Sequence, residues 1–323
     1  MARPAARRAV RLAQQHSEPL HSRTVRERLE FWPVWLFLKV VGILPRALAR
    51  LVGISLGLLV HRLHRRLRQV GLRNLSLAFP DMAAAERQRI LRGEYISLGR
   101  QLAEVCLFPR YTRENVSQVV VYDGLENYQN AFARGKGVLF LTGHLGGWEL
   151  SAFTHSLNGH PMWVVMRSLD NPRVDRLIQS YRTMHGNRTV DKDDFVRGLL
   201  AAMRKGEVVG ILMDTNMTPP QGVFVDFFGI PAYTASGLAR IALRTDAAVI
   251  PTFTTWNAEL RKYTLRFDPA VELTRSDDNE RDIVVNTARF TKIIEDYVRR
   301  YPDQWLWVHR RWKTRPEGEA PLY

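Results

Sequence analysis

The segment "TGHLGGWEL", residues 142–150, sets His144 and Glu149 five positions apart with two glycines and a tryptophan between them. A carboxylate bonded to one imidazole nitrogen fixes the tautomer and frees the other nitrogen to take a proton from a hydroxyl. That is general-base chemistry. On an ideal helix five residues turn the chain by about 500°, so the two side chains do not share a face. They meet only where His144 precedes a helix and Glu149 lies in its first turns. Gly146 and Gly147 permit that sharp entry and would let a substrate approach the backbone. The helix N-terminus would add free N–H groups for a developing oxyanion. The competing reading is a structural pair at a strand end.

Those residues need elements to hold them. The apolar run "GVLFLT" (137–142) reads as a buried strand that delivers His144 to its C-terminal end, where open α/β sheets bind ligands. Further β-rich runs at 118–122, 162–166, 208–213, 247–256 and 262–267 alternate with helix-like stretches such as "NPRVDRLIQSYRTMHG" and "FVRGLLAAMRKG". The alternation predicts an α/β fold with a mixed central sheet flanked by helices. Ile90, Leu91, Tyr95, Leu98, Leu102, Val105 and Cys106 recur at helical spacing and predict a lead-in helix within 81–108. A last helix around "NTARFTKIIEDYVRRYP" precedes the aromatic and basic tail "QWLWVHRRWKTRP" (304–316).

The chain has 323 residues, 46% of them hydrophobic, and a formal net charge of +15. That excess points to a partner rich in negative charge: nucleic acid, an anionic membrane face or an acidic protein. The single cysteine, Cys106, excludes an intrachain disulfide framework and a multi-cysteine zinc site, and it reads as a small apolar core residue. No histidine spacing of the metal-binding kind occurs. "GISLG" (53–57) matches the nucleophile-elbow string but sits inside an arginine-interrupted apolar stretch, and "RGKG" (134–137) reads as a turn before a strand.

Residues 1–30 form a basic tail, with Arg3, Arg7, Arg8, Arg11, Arg23, Arg26 and Arg28, and show no secretory signal. Residues 31–60 are long and apolar enough to cross a bilayer, but Lys39, Arg46 and Arg50 interrupt them. Each charge at the bilayer centre costs about 3 kcal/mol. Trp32 and Trp35 suit an interface, and the basic run "HRLHRRLRQVGLR" (61–73) suits anionic headgroups. The expectation is a membrane anchor over 31–73 that lies in or dips into one leaflet, then an α/β domain over 74–323. The alternative is a buried helical hairpin with a solvated basic face.

"GHLGGWEL" resembles the H-x-x-x-x-E signature of the bacterial lipid A late acyltransferases, the lauroyl and myristoyl transferases within the lysophospholipid acyltransferase superfamily. "LRNLSLAFPDM", "MRSLDNPRVDRL", "GVFVDFFGIPAYTASGLARIALRTDAAVIP" and "PDQWLWVHRRWKTRP" resemble further segments of that family in the same order. The resemblance spans roughly residues 30–316. It implies a lysophospholipid acyltransferase-like fold on the cytoplasmic face of a bacterial inner membrane. The activity it implies moves a fatty acyl group from acyl carrier protein to a hydroxyl of a lipid A precursor. No cofactor is implied beyond the acyl-acyl carrier protein donor, and neither a metal nor a nucleic-acid partner.

In that scheme His144 is the general base, Glu149 orients it, and the thioester is attacked directly without an acyl-enzyme. Substrate-binding roles fall on Arg167 (phosphate or oxyanion), Asp214, Gly146, Gly147, Arg310 and Asn171. Arg167 could equally be a strand-end surface arginine and Asn171 a helix cap. Where the family commonly reads Asp-Gln, this chain has "DTN". Gly229 and Pro231 resemble a loop lining the acyl or glycolipid site. Arg310 and Arg311 among Trp305, Trp307 and Trp312 suit an anionic lipid, or packing with snorkelling arginines. Two other functions stay open: acylation of a different membrane glycolipid or aminolipid by the same dyad, and a non-enzymatic basic binding module.

Overall fold

In the run Val138–Thr142 every residue as far as Leu141 is buried, so it forms a strand covered on both faces, as parallel strands are. The computed structural model describes residues 20–191 and 195–323, so most of the expected basic tail lies outside the described residues. Four helices lead: α1 (Leu20–Ile43), α2 (Arg46–Leu63), α3 (Arg65–Ala78) and α4 (Ala84–Leu107). Alternating elements come next: β1 (Val120–Asp123), α5 (Leu125–Ala133), β2 (Val138–Thr142), α6 (Trp148–Leu157), β3 (Met162–Met166), α7 (Pro172–Arg182), β4 (Arg188–Asp191), α8 (Phe195–Arg204) and β5 (Val208–Leu212). The chain ends with β6 (Gly222–Phe227), β7 (Ile230–Ala235), α9 (Gly237–Thr245), β8 (Ala248–Asn257), β9 (Lys262–Phe267), α10 (Asn279–Arg300) and the tail.

Seven strands make one sheet in the order β1-β9-β8-β2-β5-β3-β4, parallel except for the β8–β9 pair. The sheet is mixed and helix-flanked, as expected. Alternate residues of β2 point to opposite faces. Leu139 and Leu141 join a core with α8, α9 and α10, while Val138 and Phe140 join one with α5 and α6. β2 is therefore gripped from both sides and holds Gly143 and His144, at its C-terminal end, rigidly.

The six β-rich runs form strands. Sequence periodicity did not reveal β4, and 222–235 is a β6–β7 hairpin whose last residue, Ala235, lines the cavity beside His144 while Gly229 and Pro231 do not. Phe228 and Gly229 take φ of 56° and 74° in its two-residue turn, the primed geometry that matches strand twist, and Pro231 pairs with Asp226 inside the ladder.

The N-terminal helices explain the interrupted apolar stretch. "GISLG" is helical. A Cβ at Gly53 would stand 2.2 Å from the Gly99 carbonyl oxygen, and one at Gly57 equally close to that of Tyr95. α2 thus lies backbone-to-backbone on α4. This contact turns Arg46 inward to Glu104, at 2.8 Å, and sets Arg50 on the Trp256 ring with Arg100, at 4.2 and 4.3 Å. The apolar residues are left outside: Val25, Leu29, Trp32, Leu36, Val40 and Ile43 on α1, and Leu48, Leu51, Leu59 and Leu63 on α2, are all exposed. Among the described residues no single helix is long and apolar enough to cross a membrane. Only α2 and α3 together reach that length, across an 88° bend. Cys106 is buried, as expected.

Replacing Gly99 with leucine forces a side chain into the Gly53 backbone and should destabilise the fold by about 3 kcal/mol. Ser55→Leu on the exposed face of α2 should change stability by about 0.5 kcal/mol at most. Thermal unfolding of both variants checks this, and equal midpoints would contradict the packing described.

Candidate active site

Thr142 of β2 pairs with Leu212 of β5, so His144 and Asp214, each two residues further on, emerge side by side at the C-terminal end of the sheet. The imidazole Nδ1 lies 2.8 Å from Asp214 Oδ1, and the His144 backbone N–H donates to Oδ2 at 2.7 Å. The indole Nε1 of Trp305 donates to the same Oδ2 at 2.8 Å. Asp214 is 3% exposed. Burial alone would raise its pKa; His144, through charge and two hydrogen bonds, and Trp305 outweigh it and lower the value to about 2. The carboxylate is therefore an acceptor only, and Nδ1 must carry the proton it shares. Nε2 is left to accept one.

Burial likewise pushes the His144 imidazole down. The Asp214 charge and hydrogen bond, with Glu149 adding to them, outweigh that and the opposing charge of Arg182, so its pKa stands above the usual 6.5. His309, in the cavity wall, and His155, in the core behind β2, are held neutral. Burial lowers His155 to about 3 and His309 to about 4.

The carboxylate bonded to His144 Nδ1 is that of Asp214 and not, as expected, that of Glu149. The Glu149 carboxylate is clamped by Arg182, whose Nε donates to Oε2 at 2.8 Å while Nη2 meets Oε1. The helix geometry is as anticipated, with His144 before α6 and Glu149 in its first turn. The physical reason for the different partner is reach across the sheet: the β2–β5 register brings Asp214 to Nδ1. Arg182 at the end of α7 brings a charge to Glu149. Glu149 remains in the wall of the cavity beside His144 and acts on it through charge.

That cavity, of about 480 Å³, runs from His144 along β2, β5 and β3. Its mouth is polar, with His144, Glu149, Arg167, Arg182, Asn216 and His309. Its depth is apolar, with Phe140, Phe153, Met162 and Val164. Arg167 lies at this mouth, largely exposed and 3.1 Å from Asp170.

Four expected substrate contacts fall elsewhere or act differently. Gly146, at φ +61°, and Gly147 face β8 and β9, where a Cβ would meet the Thr254 carbonyl and the Tyr263 ring respectively. Their N–H groups already donate to Gln304 and Thr254 carbonyls, so protein backbone takes the space that was anticipated for substrate. Asn171 caps α7, accepting from Arg173 and Val174, and donates to Glu27 and Glu30 of α1. Arg310 sits over the Tyr323 ring at 5.7 Å, away from the cavity. Trp305, Trp307, Trp312 and Arg311 are all buried, which makes the tail a packing element. The tail passes directly over the dyad, with Leu306 donating to the His144 carbonyl at 3.1 Å.

Sequence reasoning missed Arg182, Trp305 as a donor, and His309. All three lay in segments already singled out, but nothing local paired Arg182 with Glu149 or Trp305 with Asp214.

A general base at His144 would have to be neutral imidazole, and turnover that depends on it should rise with pH through an apparent pKa above 6.5. Asp214→Asn removes the charge that holds this value up; burial then prevails, the limb moves below 6.5, and the rate falls by about 10²–10⁴-fold as the tautomer is lost. Glu149→Gln should move the limb in the same direction by less. Rate profiles for the three proteins test this, and an unmoved limb in Asp214→Asn would exclude the assignment.

The chain matches a family model described as "Bacterial lipid A biosynthesis acyltransferase" over residues 18–314. Among its relatives is the lipid A biosynthesis lauroyltransferase of Escherichia coli (strain K12), 29% identical over 91% of this chain and 95% of the relative. The palmitoleoyltransferase of the same organism is 28% identical with the same coverage, and its myristoyltransferase is 25% identical over 91% and 90%. The match covers the four leading helices, the sheet, His144, Asp214 and the tail that closes over them: the chain belongs to the bacterial lipid A biosynthesis acyltransferase family and is an acyltransferase.

Proposed function

We propose that this protein transfers a fatty acyl group from acyl carrier protein to a hydroxyl of a lipid A precursor, with His144 as general base and Asp214 as its positioning residue. One observation carries the reading: the Nδ1–Asp214 bond leaves Nε2 as the single basic nitrogen at the head of a cavity whose depth is apolar. Nε2 takes the proton of the acceptor hydroxyl as its oxygen attacks the thioester carbonyl. The tetrahedral intermediate collapses, the C–S bond breaks, and the imidazolium returns the proton to the departing sulfur. An ester and a free carrier thiol result, and no protein nucleophile is required. Glu149 and Arg182 hold opposed charges at the mouth and balance the imidazole between them. Exposed Arg167 is placed to meet a phosphate of the acceptor.

The family name and the lipid A names of the relatives support the acceptor class. The +15 charge suits both an acidic carrier protein and a phosphorylated lipid. The exposed apolar residues of α1 and α2, with exposed Arg62, Arg65 and Arg66 beside them, support seating at an anionic membrane surface on the cytoplasmic face of the inner membrane.

Mass spectrometry of lipid A from cells lacking the gene should show a species lighter by one acyl chain. The wild-type gene should restore it and His144→Ala should not. Intact lipid A with a different glycolipid losing its chain would keep the chemistry and replace the acceptor. For the membrane seat, combined Trp32→Glu, Leu36→Glu and Val40→Glu should move the protein out of the membrane fraction. Activity on detergent-dispersed substrate should stay within about threefold, since these residues lie outside the cavity. Undiminished membrane recovery would remove α1 as the seat.

A further inference from the structure

One side chain is common to the walls of the active-site cavity and of another cavity. Met162, the first residue of β3 and 5% exposed, lines both the space below His144 and a second cavity of about 430 Å³. The strand register places Met162 two pairs further from His144 than Phe140 and Gly210. Thr142 pairs with Leu212, Phe140 with Gly210, and Met162 with Val208. From Asp214 back to Gly210 is four residues, about 13 Å at the rise of a strand. Beyond that level the second cavity begins, walled by Tyr128, Phe132, Pro161 and Trp163, with Lys205 and Glu207 at its rim.

Gly210 is the reason a methionine fits there. A glycine inside a central strand weakens the strand and marks a close approach by something else. Here a Cβ would come within 2.9 Å of the terminal methyl of Met162. The space that any other residue would fill is occupied by Met162 Cε. Methionine is unbranched, with three rotatable bonds, and it can vacate such a position without moving the backbone.

We infer that Met162, seated over Gly210, is a movable floor that sets the length of the acyl chain. Chains that end at the methyl bind with the floor closed. Longer chains require Met162 to turn aside and then thread into the second cavity. The inference rests on the acyl-transfer reading above. It also gives a physical account of how relatives of similar identity can carry lauroyl, myristoyl and palmitoleoyl names, because one side chain at one level would suffice to shift the preference.

The test uses the full chain in detergent with lauroyl, myristoyl, palmitoyl and stearoyl acyl carrier protein as donors and a lipid A precursor as acceptor. Met162→Ala should raise the stearoyl-to-lauroyl ratio of kcat/KM about tenfold or more. Gly210→Ala presses on the methyl and should lower the ratio by a similar factor. The four free fatty acids, monitored by their effect on Tm, report the same length preference without turnover. Ratios and Tm profiles that match wild type in both variants would overturn the inference and leave acyl transfer standing. Absence of transfer from every donor, with Tm profiles still shifted to longer acids in Met162→Ala, would sink the acyl-transfer reading and keep the movable floor.

Discussion

A buried carboxylate holds the working end of this molecule together. Asp214 lies beneath the surface with its charge intact, which the protein interior permits only because three donors converge on it: the imidazole and backbone N–H of His144, and the Trp305 indole. These donors come from two distant parts of the chain, and neither is near Asp214 in sequence. Satisfying one charge therefore ties the end of β2, the end of β5 and the C-terminal tail into one unit. The same hydrogen bonds that stabilise Asp214 fix the His144 tautomer. Structure and chemistry rest on the same three contacts, and this explains why a tail rich in tryptophan packs across an active site instead of reaching for lipid.

The N-terminal helices solve a separate problem, that of keeping arginine in an apolar stretch. Gly53, Gly57 and Gly99 let α2 lie against α4 at backbone distance, and that contact fixes which residues face inward. Arg46 finds Glu104, while Arg50 and Arg100 both lie on the Trp256 ring. The arginines that interrupt the hydropathy of residues 31–60 thus point into the protein, and an apolar stripe points out. Large exposed apolar patches mark sites of interaction. That stripe lies on α1 and α2, the helices that pack against α7 and α4.

How much of this could be read from the sequence depends on how local each feature is. The runs "GVLFLT", "MWVVM" and "KYTLRF" announce strands through their apolar and β-branched residues, and the first of them is followed by "GH", which puts a histidine at its tip. Helix entry at Gly147 with Glu149 in the first turn was equally local. The identity of the carboxylate bonded to His144 Nδ1 was not, since it depends on Thr142 pairing with Leu212 across 70 residues of chain. Glu149 is five residues from His144 and Asp214 seventy, yet the sheet makes the distant one the neighbour. Asn171 was legible as a cap but not as a tie to α1, and the 222–235 hairpin hid behind a short strand with proline in it. Arg311 shows the limit from the other side: nothing in "HRRW" tells that one arginine is wholly buried and its neighbour is not.

The central claim is that Asp214 holds the proton of His144 on Nδ1, so that Nε2 is the base. Long-range ¹H–¹⁵N NMR of histidine-labelled protein at a pH above the His144 pKa measures this directly, with His144→Gln identifying the signal. The account predicts a protonated Nδ1 and a bare Nε2 that persist in Glu149→Gln and are lost or mixed in Asp214→Asn. A proton on Nε2 in the wild-type protein, or a tautomer that tracks Glu149 and ignores Asp214, would contradict it.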